Sequence, residues 1–227
     1  MDDLNEKIEG IKLSYRKIFM EAAAEIEKRI EALRPEGFEG ELTENYPSDS
    51  VGKQWQDAVL DMFETDISKE VVRKLSQIKA YRNCGQFNCK SCATCCNLAC
   101  SEFSPEELKE KAKNGDNFAN QFLSVFIPYE SREEAYKIYP QYLDLLSEKT
   151  DEPVYFYHCP KLDKNNRCSD YENRPQICRD FPDNPFCILP KTCGYYTWRE
   201  EIQPVALLMH SFVEIMEFYK NKIIKGE

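Results

Sequence analysis

The stretch Cys89-Lys90-Ser91-Cys92-Ala93-Thr94-Cys95-Cys96 sets four thiols within eight residues and marks an irregular centre between two helical flanks. Thiolates are soft ligands that select zinc, copper(I) or iron–sulfur clusters. A two-residue spacer lets neighbouring sulfurs converge on one centre while the intervening amides turn towards them. So dense a cluster points to metal chemistry. The chain holds 11 cysteines, an odd number, so complete internal pairing as disulfides is excluded. Its start, Met1-Asp2-Asp3-Leu4-Asn5-Glu6, has neither a basic nor an apolar leader region, and the expectation is a reducing, cytoplasmic compartment.

Working outward, both flanks carry helical periodicity. Over residues 3–34, Leu4, Ile8, Ile11, Tyr15, Ile18, Ala22, Ile26, Ile30 and Leu33 recur at three- and four-residue steps, and Pro35 ends the run. Glu25 and Arg29 break the heptad where apolar residues are due, which favours packing on its own domain over a dimer seam. Residues 37–52 read as a polar loop. Over residues 54–81, Leu60, Phe63, Ile67, Val71, Leu75 and Ile78 predict one helix that delivers the chain to the cluster. Residues 197–224 predict a closing helix with Val205, Leu208, Phe212, Ile215, Tyr219 and Ile223 on one face.

Between the cluster and residue 158 the signals are local. Ser104-Pro105-Glu106-Glu107 supplies a cap, a proline at the first helical position and acids in the first turn, and Asn114-Gly115 marks the stop. Phe118, Phe122, Leu123 and Phe126 predict a second short helix. Ser131 and Glu134 form a capping pattern opening a segment through Tyr142 and Leu146 that Pro140 divides. Residues 154–157, Val-Tyr-Phe-Tyr, are the one strand-like run. The fold class is therefore mostly α, with helices surrounding an irregular cysteine-rich metal-binding core and little β structure. The expected organisation is an N-terminal helical region over 1–82, a cysteine-cluster domain over 83–196 with a helical insertion at 104–148, and a C-terminal helix over 197–227 packing back.

A formal net charge of -10 and a pI near 5.0 repel phosphate backbones, so nucleic acid is an unfavoured partner. No apolar run approaches the length of a membrane span. The expected partners are a metal ion or cluster, together with a protein substrate or redox partner. Only two histidines occur, His158 and His210, and no Ser-His-Asp or Cys-His nucleophile arrangement is visible.

The centre itself has two readings. Zinc ribbons use two separated Cys-x2-Cys knuckles, but Cys159, Cys168, Cys178, Cys187 and Cys193 follow at steps of six to ten residues. Cys89-x2-Cys92-x2-Cys95 instead has the spacing of the three-cysteine portion of a bacterial ferredoxin run, and Cys159-Pro160 has the form of its remote fourth ligand. A 4Fe-4S cluster on Cys89, Cys92, Cys95 and Cys159 is the first reading, and zinc is the alternative. His158, beside Cys159, is more readily a neighbour of the site than a ligand.

These residues resemble the YkgJ-like cysteine-cluster family of zinc- or iron-chelating domains, which is related to flagellin lysine N-methylase. The pattern runs Cys89, Cys92, Cys95, Cys96, then Cys159, then Cys168-x2-Tyr171-x2-Arg174-Pro175-x2-Cys178-Arg179-x-Phe181-Pro182, then Cys193-Gly194, and spans about residues 84–196. The resemblance implies eight metal-ligating cysteines, Cys89, Cys92, Cys95, Cys96, Cys159, Cys168, Cys178 and Cys193. Eight is the number two four-coordinate centres require. It leaves Cys84, Cys100 and Cys187 as small buried residues or incidental thiols. It also implies, by analogy alone, an S-adenosylmethionine-dependent protein-lysine methylase, or else a structural zinc-binding interaction module. No Gly-x-Gly follows a strand, so a Rossmann cofactor site is not expected. Arg174 and Arg179 are expected to support the thiolates, with Tyr171 and Phe181 walling the site.

Overall fold

The computed structural model describes residues 2–140, 143–144, 153–187 and 189–225. Helix makes up 58% of the chain and strand 5%, so the fold is mostly α. The chain forms two compact units, Met1–Gln86 with Glu200–Glu227, and Phe87–Arg199. No described helix is long and apolar enough to cross a membrane.

The first unit is built from α1 (Asp2–Ala32), α2 (Val51–Met62), α3 (Ser68–Arg82) and the body of the C-terminal helix. Ala22, Ile26 and Ile30 of α1 pack with Trp55, Val59, Phe63, Ile67, Val71, Met209 and Phe212 in one apolar core, so the α1 stripe is spent inside its own unit. Arg29, where the heptad falters, ties α1 to α3 through Glu70 at 3.0 Å while also pairing with Glu25 at 2.9 Å. The loop after α1 is fastened down. Trp55 donates from Nε1 to the Ile30 carbonyl at 3.2 Å, and Gln56 donates to the carbonyls of Leu42 and Glu44 at 2.8 Å.

The helix expected over residues 54–81 starts at Val51, after a Ser50 cap, and runs to Arg82. Its middle, Phe63–Ile67, is a π-helical turn. The wider turn brings Phe63 and Ile67 both to full burial, and the Ser68 hydroxyl donates to the Phe63 carbonyl at 2.8 Å.

The second unit begins with the cysteine loop and α4 (Thr94–Asn97), followed by β1 (Ala99–Ser101), α5 (Pro105–Lys113), α6 (Asn117–Leu123), β2 (Ile127–Pro128), α7 (Arg132–Ile138), β3 (Tyr155–His158) and α8 (Gln176–Asp180). The last helix, α9 (Tyr196–Lys225), starts here. α5 has the expected Ser104–Glu107 capping box and stops at Asn114-Gly115, where Gly115 takes φ 86°. α7 ends at Ile138, before Pro140. Of the expected continuation, residues 143–144 are helical, whereas Tyr142 and Leu146 fall outside the described residues.

β3 is the middle of an antiparallel three-stranded sheet ordered β1-β3-β2. Because successive strand residues face opposite ways, Tyr157 enters the core of Leu108, Ala119 and Phe122, whereas Phe156 joins Leu98, Ala135 and Leu143. β1 and β2, of three and two residues, were not expected from sequence. Segments so short carry no alternation of their own and form only because β3 presents both edges.

Candidate metal centre

The cysteine loop follows Phe87, which is buried. Ser91 and Ala93 take left-handed conformations, φ 53° and 60°, at a cost of about 1–2 kcal/mol each for residues with a Cβ. These turns aim amides at sulfur. The Ser91 N–H lies 3.4 Å from Cys89 Sγ, and Cys92 accepts from both the backbone and the hydroxyl of Thr94. Hydrogen bonds of this kind favour the thiolate form that metals need.

α4 then carries Cys95 and Cys96, whose sulfurs lie 4.0 Å apart. The Cys96 carbonyl accepts from the Cys159 amide at 2.7 Å, which brings the end of β3 to this helix. Beyond it the chain doubles back. Leu162 pairs with Cys168, the Ser169 amide donates to the Lys161 carbonyl at 2.9 Å, and Lys161 pairs with Asp170 at 2.6 Å. Cys159 and Cys168 thus occupy the two legs of one small hairpin, which is closed by Asp163 accepting from the amides of Asn165 and Arg167.

Cys178 lies on α8, whose Ile177 packs against the Tyr157 core. Arg179 shapes the approach to it, donating to the carbonyls of Arg174 at 2.7 Å and Glu172 at 2.6 Å. Arg174 lies over the Tyr171 ring at 3.6 Å and lends positive charge to Cys96 and Cys178. The neighbouring carboxylates are engaged elsewhere, Asp170 by Lys161 and Asp180 by Gln176.

The last thiol arrives by another route. Cys193 donates a hydrogen bond to Cys92, and Gly194 lies directly on the backbone of Asn88. A Cβ there would collide with the Asn88 carbonyl oxygen and would stand 3.1 Å from Lys90 Cγ. Sequence shows only the dipeptide Cys193-Gly194. That the glycine permits a backbone-to-backbone approach emerges from the fold.

The electrostatics follow these pairings. The hydrogen bond from Cys193 holds the Cys92 thiol well below its ordinary value and pushes Cys193 up. The Cys95–Cys96 contact raises Cys95, with burial adding to it, and lowers Cys96. Burial raises Cys159, with Cys96 and Cys168 adding like charge. Burial also pushes Cys178 up to about 11, reinforced by Cys96, Cys159 and Cys168 and opposed by Arg174. Crowded thiols that resist joint ionisation are relieved by a cation among them.

Among the described residues, no three His, Cys, Asp or Glu side chains converge tightly enough to enclose an ion. Two pairs of thiols, Cys95 with Cys96 and Cys92 with Cys193, lie in contact, and the eight sulfurs fit a sulfur-seeking metal by donor chemistry and would contract on it. The 11 cysteines form no disulfide. Of the two readings for the remaining thiols, small buried residue or incidental thiol, burial does not hold for Cys84 and Cys100, which are exposed, and Cys187 donates to the Asn184 carbonyl at 3.1 Å. His158 packs its ring on Tyr129 at 4.7 Å, and His210 pairs with Glu214 in the first unit.

No curated protein and no solved structure matches the chain. The model of the CxxCxxCC family, described as "putative zinc- or iron-chelating domain", matches residues 88–200. That span contains the loop, the hairpin, α8 and the Cys193-Gly194 turn, and on this match the chain belongs to the CxxCxxCC family.

Proposed function

We propose that this protein is a cytoplasmic iron–sulfur protein whose cysteine thiolates carry a 4Fe-4S cluster. The observation that carries the reading is the loop of Cys89, Cys92 and Cys95. Its sulfurs follow at two-residue spacers, and left-handed turns at Ser91 and Ala93 direct amides to sulfur. Amide donors of this kind stabilise a sulfur-bound cluster and tune its potential. The odd count of 11 cysteines, which excludes complete pairing as disulfides, supports a reducing compartment. When bound, such a cluster supplies one-electron chemistry, and the chain's part is to supply the thiolates, their amide donors and the charge of Arg174.

Zinc is the second reading, favoured by the same turn, because a left-handed residue behind a Cys-x2-Cys pair equally serves a tetrahedral four-cysteine site. Anaerobic purification separates the two. A brown protein with broad visible absorption, and iron and acid-labile sulfide in equal amounts, is expected. A colourless protein with stoichiometric zinc would establish the structural-zinc reading in its place.

A further inference from the structure

We infer that the eight thiols form two separate four-thiol centres, Cys89, Cys92, Cys95 and Cys193 in one and Cys96, Cys159, Cys168 and Cys178 in the other, set side by side by the adjacent residues Cys95 and Cys96. The inference rests on the metal-binding reading above and holds for either metal.

Backbone geometry separates the sets. The segment bearing Cys193 is seated on the loop, since Gly194 lies against Asn88 with no room for a Cβ and the Cys193 thiol reaches Cys92. The amide of Cys159 is bonded to the carbonyl of Cys96, and the Leu162–Cys168 pairing closes the hairpin that holds Cys168 beside it. Cys178 completes that group, held on α8 with Ile177 anchored on the Tyr157 core beneath β3. The ferredoxin-like form of Cys159-Pro160 suggests the loop's three thiols as its partners. The fold brings Cys193 there and hands Cys159 to Cys96.

The division has a functional consequence. A structural or electron-carrying site uses four protein ligands, whereas catalysis at a metal needs an open position. Two complete quartets leave none, so neither S-adenosylmethionine nor a substrate can bind at the metal without displacing a cysteine. The side-by-side placement suits two structural ions or a two-centre electron relay.

Metal counting on Cys→Ser variants of the full chain tests this. Cys193→Ser and Cys168→Ser should each lose half of the bound metal, and Cys193→Ser with Cys89→Ser should lose no more than half. Cys193→Ser with Cys168→Ser should lose all of it. A single variant that loses all the metal, or none, overturns the division, as does a Cys193/Cys89 double variant left with none. A measurement on the unmodified protein covers variants that fail to fold. During stepwise removal of metal by a chelator, alkylation read by mass spectrometry should open Cys89, Cys92, Cys95 and Cys193 as one set and Cys96, Cys159, Cys168 and Cys178 as another. Random or mixed opening overturns the inference. Zinc with this same pattern would refute the iron–sulfur reading and keep the two quartets, whereas iron with mixed opening would do the reverse.

Discussion

Gly194→Ala is the sharpest single probe of how Cys193 reaches the loop. An alanine Cβ would stand 3.0 Å from the Asn88 carbonyl carbon and 3.1 Å from Lys90 Cγ, with the Asn88 oxygen well inside contact. Lys90 can swing away, but the Asn88 backbone cannot. The Cys193 segment must therefore retreat by roughly an ångström, an overpacking strain of about 1–3 kcal/mol. Loss of support around a ligand typically weakens metal affinity about 10–100-fold. Equilibration against a graded competing chelator, followed by elemental analysis, should show half of the metal released at about 10–100-fold lower chelator concentration, with the other half held as in the unmodified protein. Gly37→Ala is the matched control. Gly37 has φ 72° with no atom within 4 Å of an added Cβ, so it incurs backbone strain of about 1 kcal/mol without a clash. It should lower the melting temperature and leave metal affinity unchanged. Unchanged affinity in Gly194→Ala would refute the close approach of Cys193 to the loop.

Other perturbations separate the metal-dependent centre from the helical unit. Cys92→Ser should lose half of the bound metal and open the loop around Cys89, Cys92 and Cys95 and the Cys193 turn to protease, while helical circular dichroism falls only modestly; a complete loss of helix would show that metal organises the whole chain. Phe63→Ala deletes a fully buried ring at the π-helical turn, and should cost about 3–5 kcal/mol in chemical denaturation with metal content per folded molecule unchanged. Arg29 lowers the Glu25 carboxyl, chiefly through their hydrogen bond. That contribution is present above the unfolded carboxylate pKa and fades as pH falls through the lowered folded value. Glu25→Gln should therefore be less stable than the native chain by about 0.3–0.5 kcal/mol near neutral pH, with the difference vanishing in acid; a difference that persists there would assign the effect to packing.

The long helices were legible because their apolar residues repeat at helical steps against many charged ones, and burial follows that stripe at Ala22, Ile26 and Ile30. The π-helical turn was not legible. Phe63, Ile67 and Val71 sit at ordinary helical spacing, and only the packing of Phe63 and Ile67 together, with Ser68 bonding the Phe63 carbonyl, selects the wider turn. The two small strands were hidden for a related reason. Nothing in Ala99–Ser101 or Ile127–Pro128 prefers extension strongly, and both acquire it from the edges of Tyr155–His158.

At the site, sequence identifies donors more readily than partners. A thiol's chemistry resides in the residue, so eight candidate ligands can be named from spacing and resemblance. Which thiols share a centre depends on chain reversals that spacing does not encode. Cys159 and Cys193 lie 63 and 97 residues beyond Cys96 by number, and the cost of closing such loops grows only logarithmically with length. Closure entropy therefore scarcely distinguishes them, and local contacts decide. For Cys159 the contact is one amide bonded to the Cys96 carbonyl, at the end of a strand already fixed by its neighbours. For Cys193 it is the missing side chain of Gly194, which lets two backbones touch. Neither contact involves a metal ligand's side chain, so neither is encoded in the spacing of the cysteines.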